Sequence, residues 1–274
     1  MSAIDVLDTV VDETGSAATS TSSWPSLGLV SDRSGSRGIG ALLTPSTYVP
    51  ASEGEAYTPA YRAAVMARNR ERYLFRFVKR AFDVAFSLIV LAVALVPGLV
   101  LSLVIALQSK GSPIYVDHRV GRDGRPLGVL KFRSMVRDAD DVEKYLSAEQ
   151  LAQWQFERKV EDDPRITPVG RVIRRLSIDE LPQFLNVLVG QMSVIGVRPI
   201  VTEELEQYGD DGELLVSMRP GITGWWQVMA RNDATYETGE RQKLELYYVE
   251  HASLGLDAEV FFRTFGAMGN GTGC

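Results

Sequence analysis

For its first 70 or so residues the chain shows no sustained apolar period; Ser, Thr, Gly and Pro dominate stretches such as 19–23 and 31–40. Such a composition buries too little apolar surface to offset chain entropy, so residues 1–71 are read as disordered or weakly structured. No secretory leader is expected, because a basic start followed by an apolar run is missing. The pattern then changes abruptly: residues 84–107 are 24 consecutive positions without a charge. As a helix they would measure about 36 Å, enough to cross a bilayer. Pro97 and Gly98 stand near the middle, where a missing N–H and a loosened turn predict a kink or a break. Beyond Gln108, short apolar stretches at 114–116 and 127–132 predict strands, with turn residues at Asp123 and Gly124 between them. Helical spacing marks 138–145, 149–156, 169–176, 180–189, 201–208, 239–252 and 258–268. Helix dominates, and the strand–helix rhythm of a doubly wound sheet is missing, so the expected fold class is α+β, mostly helical with few short strands.

Charge sharpens the reading of the apolar segment. With 29 basic and 35 acidic side chains the net charge is −6, which carries no nucleic-acid signature. The distribution is uneven. Arg68, Arg70, Arg72, Arg76, Lys79 and Arg80 against Glu71 give residues 68–80 a net of +5. Residues 108–137 carry seven cations against Asp117 and Asp123, again a net of +5. Positively charged flanks stay on the cytoplasmic face, and a spanning helix would put one of these outside. A helix that enters, breaks at Pro97 and returns keeps both inside, where the anionic leaflet attracts them. A kinked span and a buried core helix are the competing readings. The single cysteine, Cys274, excludes an intrachain disulfide and an internal thiolate metal site.

The string Arg174-Arg-Leu-Ser-Ile-Asp-Glu-Leu-Pro-Gln183 sets two carboxylates, Asp179 and Glu180, where a helix should begin. Capping is one account: Ser177-x-x-Glu180 has capping-box spacing, and Asp179 is a good N-cap residue. Phosphate chemistry is the other. Lys131, Arg133, Arg165, Arg171, Arg174, Arg175 and Arg198 surround the pair in sequence, and arginine forks bind phosphoryl oxygens while paired carboxylates hold a divalent metal. Each arginine taken singly is as readily a solvated charge. There is no Walker loop, no G-x-G-x-x-G and no H-E-x-x-H. His118 and His251 stand alone, Trp225 and Trp226 suit either a headgroup level or a core, and Phe261, Phe262 and Phe265 read as a core face.

Seven motifs, in one order, resemble the monotopic bacterial sugar transferases, the polyprenol-phosphate phosphoglycosyl transferases. They are Lys79-Arg-Ala-Phe-Asp83, Lys131-Phe-Arg-Ser-Met135, Asp163-Pro-Arg-Ile-Thr167, Ser177-Ile-Asp-Glu-Leu-Pro-Gln183, Asn186-Val-Leu188, Met192-Ser193 and Pro220-Gly-Ile-Thr-Gly-Trp-Trp-Gln-Val228. The resemblance implies transfer of a sugar 1-phosphate from a UDP-sugar to membrane polyprenol phosphate, with release of UMP, at the start of exopolysaccharide, capsule or O-antigen synthesis. It implies that Asp179 is a nucleophile forming a phospho-aspartyl intermediate, and that Glu180, with Asp179 beside it, holds the required Mg²⁺. Lys131, Arg133, Arg165 and Arg174 would line the substrate site. Arg198 would face lipid phosphate from a Gly-Pro-Arg-Pro element that here reads Gly196-Val-Arg-Pro199, so that Val197 frees one φ angle. The resemblance covers about Lys79 to Phe265 and further implies a re-entrant helix over 84–107; the transferase domain is set at 72–268, and the Gly-rich composition of 269–274 reads as a flexible tail. Its partners would be polyprenol phosphate, a nucleotide sugar and the bacterial inner membrane, with the catalytic domain on the cytoplasmic face, no nucleic acid, and self-association left open. A catalytically idle assembly protein of the same fold and a phospho-aspartate phosphatase are the alternatives.

Overall fold

A computed structural model describes residues 58–109, 111–157, 160, 162–230, 234, 236 and 238–269; the readings of 1–57 and of the tail from 270 lie outside the described residues. Within the segment read as weakly structured, Pro59–Glu71 forms helix α1. Thr58 caps it, its Oγ1 accepting from the Tyr61 N–H at 3.2 Å, and Pro59 opens it where a missing donor costs nothing. Only Tyr61, Val65 and Met66 face the core, too few to give a helical period in the sequence. Polar contacts complete the docking: Arg62 pairs with Asp211 at 2.8 Å, and Asn69 Nδ2 donates to the Val249 carbonyl at 2.9 Å.

Helix α2, Tyr73–Ser109, runs for 37 residues. Its helical bonding continues through Pro97, so the break expected there is not an end of the helix. A proline removes one donor and bends the axis, and in an apolar run no water competes for the remaining carbonyls. Buried or half-buried positions recur along one stripe at 83, 87, 90, 91, 94, 98, 101 and 105, the spacing of a single helix face. That face meets the domain up to Leu91 and again from Gly98 onward. Asp83 accepts from Ser193 Oγ at 3.0 Å and from the Val194 N–H at 2.9 Å, Phe86 meets Phe184 with ring centroids 5.9 Å apart, and Ile105 packs with Phe132 and Ile173. The opposite face is apolar and bare, with Val93 and Leu107 each 74% exposed.

Strands β1 (Ile114–Val120) and β2 (Pro126–Phe132) form an antiparallel hairpin in the register Ile114↔Phe132 to Val120↔Pro126. Helices α3 (Val142–Tyr145), α4 (Ala148–Glu157) and α5 (Pro168–Arg175) follow, then a 3₁₀ turn at Ile178–Glu180 and helix α6 (Gln183–Leu188). Strands β3 (Ser193–Ile195) and β4 (Gly221–Thr223) pair in parallel; at three residues each they are too short to show an alternation in sequence. Between them lie α7 (Thr202–Glu206) and α8 (Gly212–Val216), and after them α9 (Trp225–Met229), α10 (Glu240–His251) and α11 (Leu254–Gly269). The main core joins Val129, Val187, Ile195, Leu214 and Val249, which is hairpin, α6, β3, α8 and α10 in one cluster. Trp226 is buried in that domain. Phe261 packs edge-on to Phe82 and Phe86 at 5.4 and 5.2 Å, but Phe262 and Phe265 are exposed, so the core face read into α11 is half of one, and its outer half extends the bare surface of α2.

Candidate active site

The site is built on a short backbone splice. Met135 and Ile166 form an antiparallel bridge beyond the hairpin, and the Thr167 N–H donates to the Ser134 carbonyl at 3.0 Å. Thr167 then caps α5, its Oγ1 accepting from the Gly170 N–H at 2.9 Å. Glycine is required at 170, because a Cβ there would overlap the Ser134 carbonyl. From this start α5 carries Arg174 past β2. At its end Ser177 takes the left-handed conformation, φ 53°, and reverses the chain into the 3₁₀ turn that bears Asp179 and Glu180 and packs on both β2 and α5.

The capping account does not hold. Ser177 makes no side-chain cap bond, and a left-handed residue lacks the extended backbone of an N-cap. Helix α6 begins later, at Gln183 behind Pro182. What fixes α6 is Asn186, whose amide pairs with β2 like another strand: Oδ1 accepts from the Leu130 N–H at 3.0 Å and Nδ2 donates to the Gly128 carbonyl at 2.8 Å.

Freed from capping, the carboxylates face unlike charges. Burial and then repulsion from Glu180 push Asp179 up to about 6, while Lys131 and Arg174 pull it back. Arg174 Nη1 is buried and has no hydrogen-bond partner in the structure. Lys131 Nζ donates to Asp117 Oδ2 at 2.8 Å, the first link of a chain of alternating charge. Asp117 meets Arg119 at 3.0 Å, Arg119 meets Glu204 at 3.2 Å, and Glu204 meets Arg241 at 3.3 Å. Arg241 in turn lies over the rings of Tyr236 and Trp226, at 3.9 and 4.3 Å. Burial opposes ionisation of Asp117, but Lys131 and Arg119 outweigh it and hold the carboxyl at about 2. Sequence reading missed Asp117, Arg119 and Glu204. The first two, alternating on one strand face, carried a signal; Glu204 carried none.

The remaining candidates are engaged with other partners. Arg165 forks onto Asp163 at 2.6 Å and donates to the Ala139 carbonyl at 3.0 Å, which ties down the loop before α5. Arg133 Nε donates to the Ser112 carbonyl at 2.8 Å, where α2 passes into the hairpin. The Arg198 N–H donates to the Glu245 carboxylate at 3.1 Å, and its guanidinium is 5.8 Å from the Trp226 ring, at the far end of the charge chain. Val197 is buried, bridges Pro220 and accepts from the Gly221 N–H at 2.8 Å, so strand pairing keeps the backbone extended without a proline. The structure thus brings together Asp179, Glu180, Lys131 and Arg174. Among the described residues no cluster of three or more His, Cys, Asp or Glu could hold a metal.

The family model of the bacterial sugar transferases matches residues 74–271. A UDP-galactose-lipid carrier transferase of Erwinia amylovora is 41% identical over 206 residues, 74% of this chain and 43% of that one. The exopolysaccharide production protein ExoY of Sinorhizobium fredii is 41% identical over 193 residues, 69% of this chain and 84% of that one. An undecaprenyl-phosphate galactose phosphotransferase of Salmonella typhimurium is 44% identical over 192 residues, 69% and 40%. The match therefore spans less than half of the Erwinia and Salmonella proteins and most of ExoY. With seven motifs in one order and the family model covering residues 74–271, the chain belongs to the bacterial sugar transferases.

Proposed function

We propose that the chain transfers a sugar 1-phosphate from a UDP-sugar to membrane polyprenol phosphate, with Asp179 as nucleophile, and so initiates exopolysaccharide, capsule or O-antigen synthesis. The observation that carries this is a carboxylate pair that caps no helix and lies beside Lys131 and a buried, unpartnered nitrogen of Arg174. The Erwinia and Salmonella relatives are named for galactose transfer to a lipid carrier, and ExoY for exopolysaccharide production.

In this reading an Asp179 oxygen attacks the sugar-linked phosphorus, and the bond from that phosphorus to the oxygen of UMP breaks. A polyprenol-phosphate oxygen then attacks the same phosphorus, and the bond to Asp179 breaks. Arg174 offers its free N–H to a phosphoryl oxygen. Lys131, held by Asp117, adds a fixed positive charge. The donor set fits Mg²⁺, an ion that takes one or two carboxylates and completes its shell with phosphate oxygens and water. Bound through Glu180 with Asp179 alongside, it would neutralise phosphate charge so that one anion can approach another. Arg133 and Arg165 shape the loops around the substrate, and Arg198 meets the lipid phosphate.

Membranes incubated with a panel of UDP-sugars and Mg²⁺ should release UMP, and withholding polyprenol phosphate should leave a sugar-phosphate adduct on the protein in intact-mass spectra. Repeated turnover of UMP release without lipid product would make the chain a hydrolase; no release with any sugar nucleotide would leave an idle assembly protein. Because the attacking carboxylate must be ionised, the rate is expected to fall as pH drops through the Asp179 pKa, which burial and Glu180 raise and bound Mg²⁺ would lower again, so the acid limb should move to higher pH when Mg²⁺ is made limiting. An acid limb that does not move with Mg²⁺ would remove Asp179 from a metal-assisted attack.

The docked stripe of α2 supports a monotopic placement in the inner membrane. A helix held to one domain over most of its length cannot leave that domain behind on one side of a bilayer, and its bare apolar face suits embedding from the cytoplasmic side. Cysteines placed at Arg76 and Ser112, exposed positions before and after the apolar run, in a Cys274→Ser background should both escape an impermeant thiol reagent in intact cells. Labelling at one of them alone would mean a span.

A further inference from the structure

Between the start of α2 and the start of β3 lies a cavity of about 340 Å³ that no step of the proposed reaction uses. It sits at the C-terminal end of α6, where Arg80 donates to the Val187 and Leu188 carbonyls at 2.5 and 2.7 Å. Asp179 and Glu180 precede the opposite end of that helix.

Six cations line this cavity: Arg70, Arg76, Lys79, Arg80, Arg122 and Arg219. Too few carboxylates answer them. Asp123 is shared by Arg70 at 3.6 Å and Arg122 at 3.1 Å, Asp257 takes Lys79 at 2.8 Å, and Asp83 is committed to Ser193 and Val194. Among the described residues Arg76, Arg80 and Arg219 therefore have no ion-pair partner. Arg76 donates to the Arg70 carbonyl at 2.9 Å, and among the described residues the Arg219 guanidinium has no hydrogen-bond partner. Burial first, and then Arg122 and Arg80, weaken the hold of Arg219 on its proton against a smaller opposing pull from Asp83, as expected where like charges outnumber the carboxylates that face them. Tyr73, on the cavity wall, and Leu74 and Phe77 beside it are exposed. An aromatic and apolar rim next to clustered guanidinium groups matches the boundary between acyl chains and lipid phosphates.

We infer that this cavity binds the phosphate of an anionic membrane lipid, at a headgroup site separate from the catalytic carboxylates. Arginine forks favour a phosphoryl group over a simple halide because two N–H donors match two oxygens. The phosphate chemistry rests on the cations alone; the lipid source rests on the membrane placement of α2.

The test uses the full chain in neutral detergent micelles, titrated with dihexanoyl phosphatidylglycerol, with dihexanoyl phosphatidylcholine, and with inorganic phosphate, while the thermal midpoint is followed. Phosphatidylglycerol should give a saturable rise and phosphatidylcholine none. Arg76→Gln and Arg219→Gln should each weaken the phosphatidylglycerol response by about tenfold. Arg76 is exposed, so its loss is not a folding defect, and UMP release by Arg76→Gln in the same micelles should match the parent, which separates this site from the transferase reading. Equal responses to the two lipids, or equal affinities in parent and variants, would overturn the site. Saturation by inorganic phosphate through these arginines, with no response to phosphatidylglycerol, would overturn the lipid as its source.

Discussion

Asp179→Asn is expected to lower UMP release by at least about a thousandfold, since the nucleophile is lost while the residual electrostatics remain. The same change should make the protein more stable. The Asp179 pKa is raised in the folded state to about 6, by burial and by Glu180, so ionising this carboxyl costs folding free energy. That cost is absent below about pH 4, where the group is protonated in both states, grows between the two values, and is complete above the folded value. Discounted for partial exposure, the gain from asparagine is on the order of 1 kcal/mol at pH 8. Thermal midpoints of parent and variant should therefore separate at pH 8 and converge near pH 4, and a variant less stable than the parent at pH 8 would show that the carboxylate serves the fold rather than the reaction. Glu180→Gln should also be severely impaired, through the metal rather than the bond to phosphorus.

The second large effect is expected at a residue that no motif marks. Glu204 stands between Arg119 and Arg241 and also accepts from the Val201 N–H at 3.0 Å, closing the first turn of α7. Its side chain is 5% exposed, so Glu204→Gln leaves two buried guanidinium groups without their shared anion, a loss of about 3–5 kcal/mol. The thermal midpoint in detergent should drop by many degrees, and the damage should reach Lys131 through Asp117 and Arg119. Glu204→Asp, which restores the charge but not the reach, should fall between. A Gln variant with parental stability would mean that solvent already screens the chain.

Legibility in the sequence followed the range of the interactions. The hairpin was visible because short apolar stretches at 114–116 and 127–132 flank the turn residues Asp123 and Gly124, and α11 because its apolar positions repeat. Helix α1 was not, since Arg62 and Asn69 hold it through partners about 150 to 180 positions away. Strands β3 and β4 owe their pairing to each other rather than to their own three residues. The catalytic pair was legible as a pair, yet its separation from any helix cap depends on Ser177 adopting a left-handed backbone, which nothing in Leu176-Ser-Ile178 announces. Several motif residues proved to join pieces of the fold: Lys79, Arg80 and Asp83 weld α2 to the domain, and Asn186 joins α6 to the hairpin.

The inward stripe of α2 means that this helix is no detachable tether. Asp83 completes the end of β3, and Ile105 fills a cluster whose other buried members are Phe132 and Ile173. Excising the apolar segment to obtain a soluble catalytic fragment would strip Phe132 and Ile173 of their cover a few residues from Lys131 and Arg174. A water-soluble version has to be made by recolouring the bare face, replacing outward residues such as Val93, Val96, Val100 and Leu107 with polar ones, while the stripe that holds the active site together stays as it is.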